Sequence, residues 1–246
     1  MNLKNIWFIM KREISGYFAT PVAYVFIIIF LLLTGFSTFF MGNFFERGEA
    51  DLYPFFSIHP WLYVLLIPAI SMRLWSEERK NGSIELLMTL PVSVIEAVLG
   101  KFLAAWAFTG LALVLNFPLW ITVNYLGSPD NGVIFAGFIG SFLMAGGFLA
   151  IGACISALTK NQVIAFVLSL IVSLIFVLSG YGIVLDFFSS WAPSALVEAI
   201  SSFSFLTHFD AISKGVIDMR DMLYFASVIL VWLFANAIVI NARKAD

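Results

Sequence analysis

The sequence contains few of the residues on which soluble enzymes and disulfide-stabilised proteins depend. Its 246 residues include a single cysteine, Cys154, so an intramolecular disulfide is excluded. Histidine occurs only at His59 and His208, and the sequence has neither the HExxH metal motif nor the GxSxG nucleophile motif. We therefore expect no catalytic site, no metal site and no bound cofactor in this chain.

Charge is also scarce. Only 11% of the residues are charged, 61% are hydrophobic, and the net charge is −2. The basic residues form no dense cluster, so nucleic acid is not an expected partner. The G-x-x-x-x-G-K-[ST] phosphate loop is absent as well, so ATP would have to be bound by another subunit.

Long apolar runs dominate what is present. Each is close to the roughly 20 residues that a helix needs to cross the hydrocarbon core of a bilayer. They are continuous instead of alternating, which argues against a membrane barrel. The sequence predicts an all-α membrane protein, a single domain over residues 1–246, whose six transmembrane helices lie near residues 22–42, 55–74, 99–126, 133–158, 163–185 and 222–241.

The distribution of basic residues predicts the orientation. With both termini in the cytoplasm, ten of the thirteen basic residues lie inside, and Arg47, Lys214 and Arg220 lie outside. This bias follows the positive-inside rule. It predicts a multi-pass protein of the cell inner membrane, and it places both histidines near the outer face as interfacial side chains. The ten basic residues assigned to the inside are Lys4, Lys11, Arg12, Arg73, Arg79, Lys80, Lys101, Lys160, Arg243 and Lys244.

Three segments outside the spans have their own patterns. Residues 1–20 place apolar side chains on one helical face and end before Pro21, which predicts an amphipathic helix in the inner membrane interface. The alternative is an extension of the first span. Residues 187–221 are too apolar for a flexible linker and predict one or two short helices at the outer face. In the fourth run, Gly137, Ser141 and Ala145 begin a small-residue stripe, which predicts close helix packing, a subunit contact or a translocation path.

The segment 76–93 carries the most specific pattern. Asn81-Gly82 predicts a turn, and the following residues predict a short apolar helix that Pro91 terminates. Ser93 and Glu96 form a capping box that starts the third span at Val94. A short helix of this kind either rests on its own protein or inserts into a cytoplasmic partner.

The stretch RLWSEERKNGSIELLMTLPVS, residues 73–93, closely resembles the E-E-x-x-x-G-[ST]-x-E-x-L-x-x-x-P-[VI]-S signature of ABC-2-type permeases. The nearest resemblance is to the gliding-motility and nitrous-oxide-reductase-maturation permeases. FDAISKGVID, residues 209–218, is similar to a second, weaker family pattern. The resemblance covers the whole chain and implies an ABC-2 permease fold like that of type V exporters.

The resemblance also implies partners and a site. Family members are permease halves that pair with a second permease, identical or homologous, and with cytoplasmic ATPase subunits that bind ATP. The segment 76–93 would then be the coupling helix that enters a groove on the ATPase and transmits its motion. By matching position, the coupling residues are Glu77, Glu78, Gly82, Glu85, Leu86, Leu87, Leu90 and Pro91.

The function that this pattern favours is the membrane subunit of an ATP-driven exporter. Two other classes stay open at this point. A channel or ion-coupled carrier would need no ATPase, although the spans lack the central charges that such carriers use. A scaffold or anchor subunit of a motility or maturation machinery would share the architecture without moving a solute. Lipid is the surrounding solvent in each case.

Overall fold

Helices account for all the regular structure in residues 2–84 and 91–242, which are the residues described by this computed structural model. Proline and short polar side chains mark several of the helix starts: Pro21 occupies the first turn of α2, and Asp130 and Asn161 cap the helices that follow them. The helices are α1 (Leu3–Phe18), α2 (Pro21–Phe36, continued by a π-helical turn Ser37–Met41), α3 (Phe44–Arg47), α4 (Tyr53–Ser71), α5 (Arg73–Asn81), α6 (Val94–Val114), α7 (Phe117–Leu126), α8 (Asn131–Leu158), α9 (Gln162–Leu178), α10 (Gly182–Ser189), α11 (Ser194–Ser202), α12 (Phe205–Ser213) and α13 (Met219–Ala242).

Five helical segments in the described residues are long and apolar enough to cross a membrane. A sixth is obtained only if α9 and α10, which are bent by 69° relative to each other, count as one span. The predicted all-helical architecture is confirmed in the described residues, with five or six candidate spans in place of the six predicted. The five segments are Pro21–Arg47, Tyr53–Asn81, Val94–Leu126, Asn131–Leu158 and Met219–Ala242.

The fifth apolar run is not one straight helix over residues 163–185, as the sequence suggested. The chain turns at Gly180, which lies against Ser204 at the start of α12. A Cβ at Gly180 would approach the Ser204 hydroxyl to 2.2 Å, so the contact requires glycine. The break therefore lets the outer segment fold back onto α9.

The outer segment, predicted to hold one or two short helices over residues 187–221, contains two, α11 and α12, and α10 ends within its first residues. The structure forms α10, α11 and α12 between Gly182 and Ser213. Helix α12 packs against α8 and α4, and Phe205, Phe209 and Ile212 on its inner face are buried. The segment is thus part of the core at that end of the bundle.

Helix α8 lies at the centre of the bundle and contacts α4, α5, α6, α9, α12 and α13. Its small residues face these neighbours. A Cβ on Gly137 would come within 2.5 Å of the Phe56 ring, and one on Gly152 within 2.0 Å of the Ser71 hydroxyl. The small-residue stripe is therefore used for packing within this chain.

The N-terminal segment forms a separate helix, as the Pro21 boundary predicts. Helix α1 packs on α6 and buries Ile6 and Ile9, while Leu3 and Trp7 are exposed. The helix and its amphipathic character are observed. Its location in the membrane interface stays a prediction.

The expectation that both histidines are interfacial is wrong for His59. This side chain of α4 is fully buried against α8. Its Nδ1 shares a 2.9 Å hydrogen bond with the Ser141 hydroxyl. Rings of Phe30, Phe55 and Tyr63 surround it. Aromatic packing and one polar partner hold the imidazole inside, which the sequence pattern alone did not reveal.

Candidate functional site

The predicted coupling segment begins where α4 passes into α5. The helical hydrogen bonding is interrupted at Met72, and the Ser156 hydroxyl of α8 supplies hydrogen bonds to the backbone there. The Ser156 hydroxyl accepts hydrogen bonds from the backbone N–H groups of Trp75 and Ser76, each at 3.1 Å, and donates to the Met72 carbonyl at 2.8 Å. The direction of α5 is thus fixed by a side chain from the central helix.

Helix α5 is attached to its neighbours by a cluster of charged side chains. Lys101 of α6, only 2% exposed, places its Nζ 2.8 Å from Glu78 of α5 and 3.1 Å from Glu13 of α1. The Arg12 guanidinium lies 2.7 Å from the Glu13 carboxylate and 3.6 Å from that of Glu78. The Lys101 ammonium also lies 5.2 Å from the centre of the buried Trp75 ring. Three helices therefore meet at one buried cation, and we call Arg12, Glu13, Glu78 and Lys101 the basal charge cluster.

Electrostatics in this cluster favour the ionised carboxylate. Partial burial raises the pKa of Glu13, but attraction to Lys101 and hydrogen bonds from Arg12 and Lys101 outweigh it, so the pKa is lowered below its usual 4.5.

Two further contacts hold α5 in place. Arg73 and Glu77 pair along one face of the helix at 2.8 Å, and the Arg79 guanidinium donates to the Ala157 carbonyl of α8.

The other end of the segment is anchored to the same part of the bundle. Ser93 and Glu96 form the predicted capping box and start α6 at Val94. Glu96 also accepts a 3.0 Å hydrogen bond from Asn5 of α1, whose amide reaches the Pro91 carbonyl at 3.4 Å. Both ends of the segment are consequently fastened to α1 and α6, at what we call the basal end of the bundle.

The predicted coupling residues divide into two groups. Glu77 and Glu78 lie on α5, the Gly82 backbone has the left-handed φ of 71° that the predicted Asn81-Gly82 turn requires, and Pro91 is exposed beside the α6 cap. These residues are brought to the basal end together. Glu85, Leu86, Leu87 and Leu90 lie outside the described residues.

One expectation about Glu78 is wrong. Its place among the predicted coupling residues implies a carboxylate that is exposed and available to a partner, but the side chain is only 20% exposed and is paired with Lys101. The reason is the position of α1 and α6, which enclose it. From the sequence, Lys101 was counted only among the basic residues on the inside, although a lysine in an apolar helix, three residues after Val98, signals the need for a buried acid.

Comparison with known proteins connects this geometry to a family. The profile of the family described as ABC-2 family transporter protein matches residues 50–242, which includes α4, α5, the predicted coupling segment and α13. The chain belongs to this family. It is accordingly a multi-pass membrane protein and a permease of the ABC-2 type, a class of transport subunits that generally work with a cytoplasmic ATPase and often dimerise.

A partial match to a curated protein agrees with the family. Heme exporter protein B of Rhodobacter capsulatus is 39% identical over 70 residues, covering 28% of this chain and 32% of that protein. The chain thus spans about a third of the relative it matches. The narrower assignment to the gliding-motility and nitrous-oxide-reductase-maturation group stays a prediction.

Proposed function

We propose that this ABC-2 permease couples ATP hydrolysis by a separate cytoplasmic ATPase to export across the cell inner membrane. The observation that carries the proposal is the attachment of α5. Displacement of the coupling segment, residues 76–93, which begins in α5, is transmitted to α4 through the Ser156 junction, to α8 through Arg79, and to α6 and α1 through Lys101. An ATPase that moves this segment therefore moves most of the basal end.

Within this proposal, residues 76–93 dock into a groove on the ATPase. Leu86, Leu87 and Leu90 supply the apolar anchors, and Glu77, Glu85 and Pro91 border them. Glu78 is assigned a different task from the one that the sequence suggested, because its carboxylate holds α5 to Lys101. By this contact Glu78 fixes the position of the docking segment relative to α6.

The proposed complex contains two permease chains, identical or homologous, and both termini face the cytoplasm. Basic residues at the basal end support this orientation by the positive-inside rule. The similarity of one segment to heme exporter protein B supports export as the direction. No substrate is assigned from that segment.

The test is affinity purification of the tagged chain from its own membranes, followed by identification of co-purifying chains with a phosphate-loop motif and assay of ATP hydrolysis. We expect an ATPase subunit to be retained in the complex. Leu87→Asp should release it, because an interface anchor contributes on the order of 2–4 kcal/mol and the substitution buries a charge.

The matched control is Leu126→Asp, an exposed position at the opposite end of the bundle. It introduces the same side chain and should leave the ATPase bound. Release of the ATPase by neither variant, at wild-type rates of ATP hydrolysis, would refute docking through residues 76–93. Purification of an active transporter with no ATPase would refute the proposal that ATP hydrolysis by a separate subunit drives this permease.

A further inference from the structure

A cavity of about 440 Å³ lies at the basal end, between α1, α2 and the α4–α5 junction. Its size is within the range of about 300–1,000 Å³ typical of small-molecule sites. It is lined on α2 by Val22, Val25 and Ile29, which span about two helical turns. On the opposite wall it is lined by Leu66 and Ala69 of α4. The cavity is therefore a long apolar slot that begins near the ends of α1 and α5.

The base of this slot is polar. Arg73 and Glu77 line it, and their side chains stay 32% and 39% exposed although they pair with each other. The pair uses the Nε and one terminal nitrogen of Arg73, which leaves further N–H donors on the guanidinium for another acceptor. The slot thus presents a cation and a carboxylate side by side at its base.

Tyr17 adds a second indication of a ligand. It lines the cavity, and its hydroxyl is enclosed with no hydrogen-bond partner among residues 2–84 and 91–242. A buried hydroxyl without a partner costs free energy, and in native structures such groups are usually satisfied by water or a ligand. The polar base therefore has unused hydrogen-bonding capacity as well as charge.

The apolar walls exclude a fully polar ligand, and the paired charges at the base select among amphiphiles. Arg73 offers N–H donors to a phosphate, and Glu77 accepts from a primary ammonium. A headgroup with a quaternary ammonium has no N–H to donate to Glu77. A headgroup with a phosphate and no cation brings a negative charge to an Arg73 guanidinium that Glu77 already neutralises, and it offers no cation to the Glu77 carboxylate.

From this arrangement we propose that the cavity binds one zwitterionic phospholipid with a primary-amine headgroup, whose phosphate and ammonium meet Arg73 and Glu77 and whose acyl chain runs along α2. The exposed faces of Val22 and Val25, each about half exposed, provide the opening through which the chain reaches the surrounding lipid. The site shares Glu77 with the docking segment, residues 76–93, but its other lining residues lie outside that segment and lipid binding does not depend on the ATPase.

Native mass spectrometry of the full chain tests the proposal. The protein is extracted from vesicles made of equal parts phosphatidylethanolamine, phosphatidylcholine and phosphatidylglycerol with identical acyl chains. We expect one phosphatidylethanolamine molecule to be retained per chain at detergent concentrations that remove the other two lipids.

Two matched variants locate the retained lipid. Ala69→Phe inserts a ring into the slot and should abolish retention, whereas Ala235→Phe, at a partly buried alanine of α13 that does not line the cavity, should preserve it. Arg73→Gln should retain less lipid than the wild type, whereas Ala235→Phe should retain the wild-type amount. Thermal unfolding of all variants shows that each is folded.

Retention of no lipid by the folded wild-type chain would overturn the proposal. So would equal retention of phosphatidylcholine, preferential retention of phosphatidylglycerol, or survival of the bound lipid in Ala69→Phe. A dimer whose second copy occupies the slot and excludes lipid would likewise overturn it.

Discussion

The Nζ atom of Lys101 on α6 lies 2.8 Å from a carboxylate oxygen of Glu78 on α5, and the lysine side chain is only 3% exposed. A charge at this depth is tolerated because two carboxylates and the Trp75 ring surround it. The pair joins the helix that leads into the docking segment to the helix that follows it. It is therefore expected to stabilise the bundle and, in the proposed function, to carry motion from the segment to the bundle.

Lys101→Met is expected to lower the free energy of unfolding by about 3–5 kcal/mol, because it leaves Glu13 and Glu78 partly buried with only Arg12 to compensate them. Unfolding in mild detergent measures this directly. Lys80→Met, at an exposed lysine of α5, should change stability by less than about 0.5 kcal/mol. Adding Glu13→Gln and Glu78→Gln to Lys101→Met should restore most of the loss. Equal stability of Lys101→Met and the wild type would show that the cluster is not stabilising.

The lowered pKa of Glu13 predicts how stability depends on pH. A carboxyl whose pKa is lower in the folded state stabilises the protein fully above its unfolded value of about 4.5. This stabilisation is lost as the pH falls below that value and through the folded pKa, because in that range the unfolded chain binds the proton more readily than the folded state does. Denaturation curves between pH 7 and pH 3 should show a decline that is smaller in Glu13→Gln. A steeper decline in that variant would reverse the sign and contradict the prediction.

Ser156→Ala should destabilise the protein by about 1–3 kcal/mol, since it leaves the backbone N–H groups of Trp75 and Ser76 without an acceptor. Ser169 provides a matched control. It is equally buried, but its hydroxyl has no partner among the described residues, so Ser169→Ala should be neutral or stabilising. Chemical denaturation of the two variants side by side distinguishes them. Equal effects would mean that the Ser156 hydrogen bonds do not secure α5.

Much of the fold was predictable from local patterns. Proline at the start of α2, the Asn81-Gly82 turn and the Ser93–Glu96 capping box each act within a few residues, and each is found where the sequence indicates. The bend at Gly180 was missed, and the Ser204 side chain that packs against this glycine lies 24 residues further along the chain. A long apolar run gives no sign of such a contact.

The candidate site shows the same division. The turn and cap that delimit the segment were predicted from residues adjacent in sequence. The burial of Glu78 was not predicted, because it depends on Lys101 and on Glu13, which approach from two other helices. His59 was missed for a similar reason, since its enclosure by Phe30, Phe55 and Ser141 comes from α2, its own helix and α8. The partner of a buried polar side chain inside an apolar bundle has no local signature when it comes from another helix.

Orientation in the membrane is tested by labelling single cysteines in a Cys154→Ser background. A cysteine at Asn81, exposed at the basal end, should react with a membrane-impermeant maleimide only after the cells are opened. A cysteine at Ser128, exposed in the turn before α8, should react in intact cells. The basis is the ten-to-three distribution of Lys and Arg. The reverse pattern would invert the topology and move the docking segment away from any cytoplasmic ATPase.

The contact between Gly152 of α8 and Ser71 of α4 predicts the effect of one methyl group at the centre of the bundle. A Cβ at position 152 would lie 2.0 Å from the Ser71 hydroxyl and 2.6 Å from its Cβ, so Gly152→Ala should destabilise the protein by about 1–3 kcal/mol through overpacking. Gly35→Ala is the control. A Cβ there meets nothing within 4 Å, so the substitution should stabilise α2 by up to about 1 kcal/mol.

A double-mutant cycle assigns the cost to this contact. Ser71→Gly removes both atoms that the new methyl group would strike, so the double variant should be less destabilised than the sum of the two single variants. Denaturation in detergent gives the three free energies. Strict additivity would place the cost of Gly152→Ala elsewhere, and a stabilising Gly152→Ala would mean that α4 and α8 lie further apart than this contact requires.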